Sequence, residues 1–249
     1  MMNFGLGLLS IGRKWGVLDT PPPTREVAIE LIAKAVELDV QFFDTAPAYG
    51  ESEHILGEYL RNMKIRERQK ITVATKMGEF WQGSDEPTFV CHDESALKES
   101  VDQSLEYLGS IDILQLHKAT KVVIENDAVC QAIAYARQRG ISQFGASISY
   151  IESAEAAISS GAFQWLQFPF NAENSMFGAL GSRLIRSGMR AMINRPLAMG
   201  KYANDIQCGF KLVYNEGFPD GSIILSGTSS QDHLEQNLAA FRAVAALEY

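Results

Sequence analysis

Three stretches decide the fold: QFFDTAPAYGESE at residues 41–53, ITVATKMGE at 71–79 and IDILQLHKA at 111–119. Each opens on a short apolar run with the length and the aromatic or β-branched content of a buried strand. Each also carries polar side chains where that run ends: Asp44 and Tyr49 in the first, Lys76 in the second, His117 in the third. A closed barrel of parallel strands builds its site from side chains at the carboxyl ends of several different strands, so this recurrence predicts one polar rim shared by successive strands.

Outward from these three runs, the chain alternates between strand and helix patterns, the signature of an α/β fold. Strands are expected at Phe4–Leu9, Val40–Thr45, Ile71–Lys76, Ile111–His117, Gln143–Ser147, Trp165–Phe170, Arg190–Pro196 and Ser222–Gly227. Helices are expected between them at Thr24–Leu38, Ser52–Met63, Glu94–Leu108, Asn126–Arg139, Ile151–Ser160, Met176–Ser187, Asp205–Asn215 and Ser230–Leu247. Thr24 with Glu26 and Ser52 with Glu53 resemble helix starts, and Gly109, Gly140, Gly161 and Gly188 stand where helices should stop. In the fourth helix Ala128, Ile133, Ala134 and Ala136 recur at helical spacing among Gln131, Arg137 and Gln138, which predicts one apolar face. An open doubly wound sheet would place a G-x-G-x-x-G turn and a helix after its first strand. GLGLLS at 5–10 ends in Ser and is expected to precede no helix. The fold predicted is therefore an eight-stranded parallel (β/α)8 TIM barrel.

One domain over residues 1–249 fits, since the only Pro cluster, Pro21 to Pro23, lies too near the start to separate two cores. A composition of 46% hydrophobic and 21% charged residues is that of an ordinary globular chain. A net charge of -8 without a Lys/Arg run argues against nucleic acid and anionic membranes as partners. Cys91, Cys130 and Cys208 have no short-spaced pair and read as reduced thiols. The opening residues lack a cationic secretion signal, and no apolar stretch reaches about 18 residues. The expectation is a cytoplasmic protein with small-molecule partners. No metal is expected, because His54, His92, His117 and His233 are scattered and the cysteines are far apart.

Residue chemistry carries the reading further. A tyrosine titrates near pH 10 and protonates an oxygen at neutral pH only with help, which a neighbouring ammonium supplies by favouring the phenolate. Lys76 is expected to lower the pKa of Tyr49 in this way, with Asp44 holding Lys76 charged and oriented and His117 completing a polar floor for a C=O group. Singly, each has an ordinary structural role: Asp44 as a turn cap, Tyr49 as packing, Lys76 as a solvated strand end, His117 as a satisfied core residue. Four of them on the ends of adjacent strands are hard to obtain from packing alone.

The same residues resemble the aldo-keto reductase family. FDTAPAYGESEHILGEYL at 43–60 is similar to that family's most specific segment, with Asp44 and Tyr49 on its catalytic Asp and Tyr; TKMG places Lys76 on the catalytic Lys and LQLH places His117 on the catalytic His. Further similarities are GLGLLSIGRKWG, FGASISY, LQFPFN, RPLAMGKY and ILSGTSSQDHLEQNLAA, spread over nearly the whole chain. The resemblance implies an NAD(P)H-dependent oxidoreductase in which hydride passes from the nicotinamide to an aldehyde or ketone and Tyr49 donates the proton. It implies carboxamide contacts from Ser147 and Gln167, and cofactor contacts from Arg195 and Leu197 in RPLAMGKY. Phosphates are expected at Gly227, Thr228 and Ser229 before the last helix, and Gln236 and Asn237 fall on the pair that touches the adenine.

Two departures from the family pattern stand out. Ile148 replaces the Asn that commonly follows the Ser, and Gly227 and His233 occupy places where relatives often carry the Lys and Arg that grip a 2′-phosphate. Family habit favours NADPH, while the missing cations pull toward NADH. The chain also ends soon after its last helix, and Leu197–Gly221 is brief, so the substrate side is expected to be open. Trp15 and Trp81 are expected to bind substrate there, with Phe80 and Phe170 as further members of an aromatic wall, and a second copy of the chain in a homo-oligomer is one way to cover it. Alternatives are an NAD-dependent sugar or alcohol dehydrogenase of the same fold, and a cofactor-binding regulatory barrel with little turnover.

Overall fold

A computed structural model describes residues 1–16, 20–83, 86–203 and 205–247. Eight parallel strands close into a barrel: β1 (Asn3–Gly7), β2 (Phe42–Asp44), β3 (Thr72–Met77), β4 (Ile113–Leu116), β5 (Gln143–Ser147), β6 (Trp165–Pro169), β7 (Arg190–Asn194) and β8 (Ile223–Gly227), each paired with its neighbours in sequence and β1 with β8. The predicted (β/α)8 barrel is the fold observed. The helices after the successive strands are α1 (Arg25–Glu37), α2 (Ser52–Arg61), α3 (Glu94–Leu108), α4 (Asp127–Gln138), α5 (Ile151–Ser160), α6 (Gly181–Ser187), α7 (Ile206–Tyr214) and α8 (Gln231–Ala246).

The closure joins the two ends of the sequence. Five residues of β1, Asn3 to Gly7, register with Ile223 to Gly227. Beneath them Phe4 packs against Phe241 and Phe210, with ring centroids 5.5 and 6.3 Å apart. Strands buried on both faces divide their apolar residues between two clusters. Outward-facing Phe43, Val73, Leu114, Phe144, Leu166, Ala191 and Ile224 join the helices in the larger one, and Phe42, Ala74, Ile113, Trp165, Met192 and Ile223 fill the barrel interior.

Helix boundaries follow local chemistry in most places. Thr24, Asn126, Asp205 and Ser230 accept backbone N–H groups at the starts of α1, α4, α7 and α8. Gly109, Gly140, Gly161 and Gly188 all take positive φ at helix ends, where a side chain would be strained. Ser52 departs from expectation. It is the first residue of α2 and caps nothing; its hydroxyl lies 2.7 Å from that of Thr45, both buried. The buried face of α4 is Val129, Ala132, Ile133 and Ala136, while Ala134 is exposed and Ala128 half-buried. Alanines fit either face of a helix, so their spacing alone does not orient it.

Four other expectations change. The fourth strand is Ile113–Leu116, with His117 just beyond it, and β2 is trimmed to Phe42–Asp44. GLGLLS does lead into a helical turn, Leu9–Gly12, which has no capping side chain and is too short to leave a periodic signal. The expected helix Met176–Ser187 begins with a 3-10 turn, Gly178–Leu180, and is regular only from Gly181. A short antiparallel ribbon, Glu79–Phe80 with Phe89–Val90, follows β3.

Two positions tie this scaffold to the polar rim. A Cβ on Gly12 would lie 1.9 Å from the carbonyl oxygen of Tyr49 and 2.6 Å from the N of Ser52, both backbone atoms unable to yield cheaply. Gly12→Ala should therefore cost about 1–3 kcal/mol in denaturant unfolding, whereas Gly7→Ala, whose methyl meets nothing within 4 Å, should stay within about 0.5 kcal/mol. The second position is Glu53 in α2, buried and accepting the Thr75 hydroxyl at 2.5 Å. Burial pushes its carboxyl up to about 7, against the pull of the Thr75 bond and the Lys76 charge. The folded state therefore binds a proton that the unfolded chain releases above its ordinary pKa near 4.5. This contribution to stability is complete below that value and is lost as pH rises through about 7. Glu53→Gln should remove that loss and be the more stable protein at pH 8 by roughly 3 kcal/mol, with the difference vanishing near pH 4; urea unfolding at the two pH values checks it.

Candidate active site

Alternation along the strands builds the site. Residues two apart face the same side of a strand. One step of two beyond the apolar interior residues Phe42, Ala74, Ile113, Trp165 and Met192 lie Asp44, Lys76, Gln115, Gln167 and Asn194. The apolar floor of the barrel thus gives way to a polar layer at the carboxyl rim, where catalytic groups of such barrels sit.

Lys76 is fully buried at the centre of that layer. Its ammonium donates to both Asp44 carboxylate oxygens and to the Thr45 carbonyl, each at 2.8 Å. Asp44 Oδ1 also accepts the side-chain amides of Gln115 (3.0 Å) and Gln167 (3.1 Å). Burial alone would lower the Lys76 pKa, but Asp44 and Tyr49 outweigh it and hold the ammonium above its ordinary value. Tyr49 sits on a 3-10 turn, Pro47–Tyr49, that follows β2, with Lys76 Nζ 4.7 Å from its ring centroid. His117 meets Tyr49 edge-on, centroids 6.0 Å apart.

The four polar residues expected at one rim are brought together there. The expected lowering of the Tyr49 pKa is not observed: burial raises it, reinforced by the Asp44 charge, and the Lys76 cation only opposes the rise. The phenol stays protonated at neutral pH. His117 goes the other way, held well below its ordinary pKa by burial first and then by the charges of Lys76, Lys118 and His92, so its ring is neutral.

A cavity of about 670 Å³ opens over these side chains. Ser147 lines it from the end of β5, Gln167 from β6, Arg195 and Leu197 from the loop after β7, and Gly227, Thr228, Ser229, His233, Gln236 and Asn237 from the end of β8 and the start of α8. Trp15 lines it as well, with the Arg195 guanidinium 5.4 Å from its ring. Trp81 is not on this wall. Its neighbour Phe80 is taken up in the ribbon, stacked on Phe89 at 5.0 Å, and Phe170 is fully buried against Phe218. The aromatic wall expected from four residues is thus carried by Trp15, because the ribbon after β3 draws Phe80 aside and β6 turns Phe170 into the core.

Sequence reasoning missed three members of the site. Gln115, inside LQLH, anchors Asp44. Asn194 lines the cavity with its buried Oδ1 lacking a partner, and Gln167 Oε1 is in the same state. These two acceptors suit a carboxamide-type N–H donor, so the residues present fit a nicotinamide. Asn171 lies outside the cavity wall and donates to the carbonyl of Arg195 at 2.9 Å. That bond supports a loop in which Arg195, Ala198 and Met199 all have positive φ, a strained backbone of the kind concentrated at ligand clamps. The third is Glu79, whose Oε2 lies 3.1 Å from His117 Nδ1. A signal for all three was available in the step of two beyond an interior apolar residue or in the stretch directly after Lys76.

Comparison with known proteins agrees with this geometry. A family model described as the aldo/keto reductase family matches residues 3–200. An uncharacterized oxidoreductase of Bacillus subtilis is 30% identical over 145 residues, 56% of this chain and 42% of the relative. An L-galactose dehydrogenase of Arabidopsis thaliana is 32% identical over 117 residues, 45% of this chain and 33% of the relative. The matches thus span less than half the length of these two curated relatives. A putative aldo-keto reductase from Pseudomonas aeruginosa superposes with a TM-score of 0.83 at 24% identity, covering 97% of this chain and 90% of that one. The holo form of an aldo-keto reductase from Bacillus halodurans gives 0.79 at 18% identity, covering 96% and 86%. Among the described residues no helix is long and apolar enough to cross a membrane. With a family model over most of its length and a closed barrel that carries Asp44, Tyr49, Lys76 and His117 on its carboxyl rim, the chain belongs to the aldo/keto reductase family.

Proposed function

We propose that this protein is a nicotinamide-dependent oxidoreductase that reduces an aldehyde or ketone to an alcohol, with Asp44, Tyr49, Lys76 and His117 as its working groups. The observation that carries this reading is the buried Lys76 ammonium, held by Asp44 at 2.8 Å and set 4.7 Å from the ring centroid of a protonated tyrosine. A bound reduced nicotinamide supplies the hydride. Tyr49 donates its proton to the oxygen that becomes the alkoxide. As the phenol loses that proton, Lys76 lies close enough for its charge to stabilise the phenolate in a low-dielectric site. Asp44 keeps Lys76 in place and supplies the negative charge that makes its burial tolerable. Gln167 and Asn194 offer acceptor oxygens to the nicotinamide carboxamide, and Ser147 a hydroxyl. Thr228, Ser229 and the N-terminus of α8 face phosphates, where hydroxyls and unpaired backbone N–H groups favour anions.

A second reading, oxidation of a sugar or alcohol with NAD, uses the same groups in reverse. It is favoured by the cofactor end of the cavity, where His233 and hydroxyls line the wall. The lysine and arginines that do line the cavity are Arg13, Lys118 and Arg195, and Arg195 is stacked over Trp15. Lys201 is paired with Glu173 at 2.9 Å, and Arg242 donates to the carbonyl of Leu38 at 2.6 Å; neither faces the cavity.

Tyr49→Phe should lower aldehyde reduction about 10²–10⁴-fold, the usual worth of a positioned acid, while reduced-cofactor affinity, read by fluorescence titration, stays nearly unchanged. Full activity in that variant would remove Tyr49 from its role. The same titration should find NADH and NADPH affinities within about a hundredfold of each other. A stricter preference for NADPH would mean that Arg13 or Arg195 grips the 2′-phosphate after all.

A further inference from the structure

The stretch GLGLLSIGRKWG at 5–16 puts a cation beside Tyr49 that the chemistry above does not use. After β1 the helical turn Leu9–Gly12 carries the chain across to the turn that follows β2, where the Gly12 carbonyl accepts the N–H of Glu51 at 3.2 Å. The approach is so close that a Cβ on Gly50 would lie 3.3 Å from that of Arg13. Arg13 is thereby seated against the turn Pro47–Tyr49, and its Nη1 donates to the Ala48 carbonyl at 3.1 Å. Among the described residues no carboxylate pairs with it, and a guanidinium has more donors than that one bond uses. It stands half-buried on the cavity wall between Leu9 and Trp15. Lys118, which follows His117 at φ +51°, is a second cation on the same wall, its ammonium 3.6 Å from Glu79 Oε1.

We propose that the carbonyl substrate carries an anionic group, a carboxylate or a phosphate, and that Arg13 is the residue that selects for it, with Lys118 adding to the attraction. The proposal rests on the reading of Tyr49 as the proton donor to that substrate. The groups offered to the cofactor come from β5 to β8 and the start of α8, whereas Arg13 and Lys118 stand after β1 and β4, in the half of the rim that holds Tyr49 and His117. A carbonyl held at Tyr49 therefore leaves the rest of a small substrate on their side. The charges agree with an anion. Asp44 and Glu79 are the acids on the cavity wall among the described residues, and the first is paired with Lys76 while the second faces Lys118. Arg13 and Arg195 are left unopposed, so the wall is positive in a chain whose net charge is -8, and a cleft of one sign attracts its counter-ion. The planar fork of Arg13 matches carboxylate or phosphate oxygens, and the apolar walls of Leu9 and Trp15 strengthen such a charge-assisted bond. An uncharged aldehyde still meets Tyr49 but forgoes this contact, so the preference falls on substrate binding and not on proton transfer.

Two pairs of aldehydes test it with the reduced cofactor saturating: succinic semialdehyde against its methyl ester, and glycolaldehyde phosphate against glycolaldehyde. In at least one pair kcat/KM for the anion should exceed that for its neutral twin by about 10–100-fold, mostly through KM. The pair that shows the excess tells carboxylate from phosphate. Arg13→Gln should bring that ratio near unity, and Arg13→Lys, with the charge but not the fork, should hold an intermediate one. Neutral twins that equal or beat the anion in both pairs overturn the proposal without any variant. So does an Arg13→Gln chain with the parent's ratio, because a purely structural role for Arg13 lowers both members of a pair alike. A second readout needs no turnover: in calorimetric titrations of the NAD-loaded chain, γ-hydroxybutyrate should bind more tightly than butanol, and Arg13→Gln should erase the difference. Equal binding of the two by the parent overturns the proposal for carboxylates, leaving the phosphate pair to carry it or end it. A chain that binds the acid through Arg13 yet reduces no aldehyde keeps the anion site and removes the catalytic reading instead.

Discussion

The arrangement depends on one buried ion pair. Lys76 is fully buried and Asp44 nearly so, and the desolvation of two such charges costs several kcal/mol per ion unless geometry and additional hydrogen bonds return it. Here the cation is returned hydrogen bonds to two carboxylate oxygens and the Thr45 carbonyl. On the anion, Gln115 and Gln167 add two amide donors to one oxygen. A pair of leucines would fill the same space without that burden. What the ion pair provides is a fixed positive charge under Tyr49, at a depth where water does not screen it.

Burial, more than that charge, explains why two titrating groups next to each other are both neutral. Burial raises the phenol and lowers the imidazole, and Lys76 opposes the first effect while adding to the second. A tyrosine that remained ionised at rest would have no proton to give. The site thus keeps Tyr49 loaded and leaves the stabilisation by Lys76 for the moment when the proton departs.

The scaffold places these groups by a simple periodicity. Interior positions of β2, β3, β4, β6 and β7 run from apolar to polar in a step of two residues, Phe42 to Asp44, Ala74 to Lys76, Ile113 to Gln115, Trp165 to Gln167 and Met192 to Asn194. Shifting any of these strands by one residue would send the polar group into the helix layer, so the register of the barrel and the composition of the site are one constraint. Loops then bring the groups the strands do not carry. Gly12 and Gly50 let two turns approach until only hydrogen atoms fit between their backbones, and that approach seats Tyr49.

Much of this was legible in the chain itself. The alternation of strand and helix patterns and the glycines that end helices specify the barrel, since buried parallel strands and helix stops leave local marks. The polar residues Asp44, Lys76 and His117 announce the rim because nothing about packing requires them where strands end. Features without a local mark went unread: the single helical turn at Leu9–Gly12, the ribbon that draws Phe80 from the expected wall, and the orientation of an alanine-rich helix. The direction of the Tyr49 shift belongs with them. Sequence determined that a phenol and an ammonium would share one rim; only the tertiary structure decided how deeply the phenol is buried, and desolvation, which depends on every surrounding atom, outweighs the one neighbour the sequence could name.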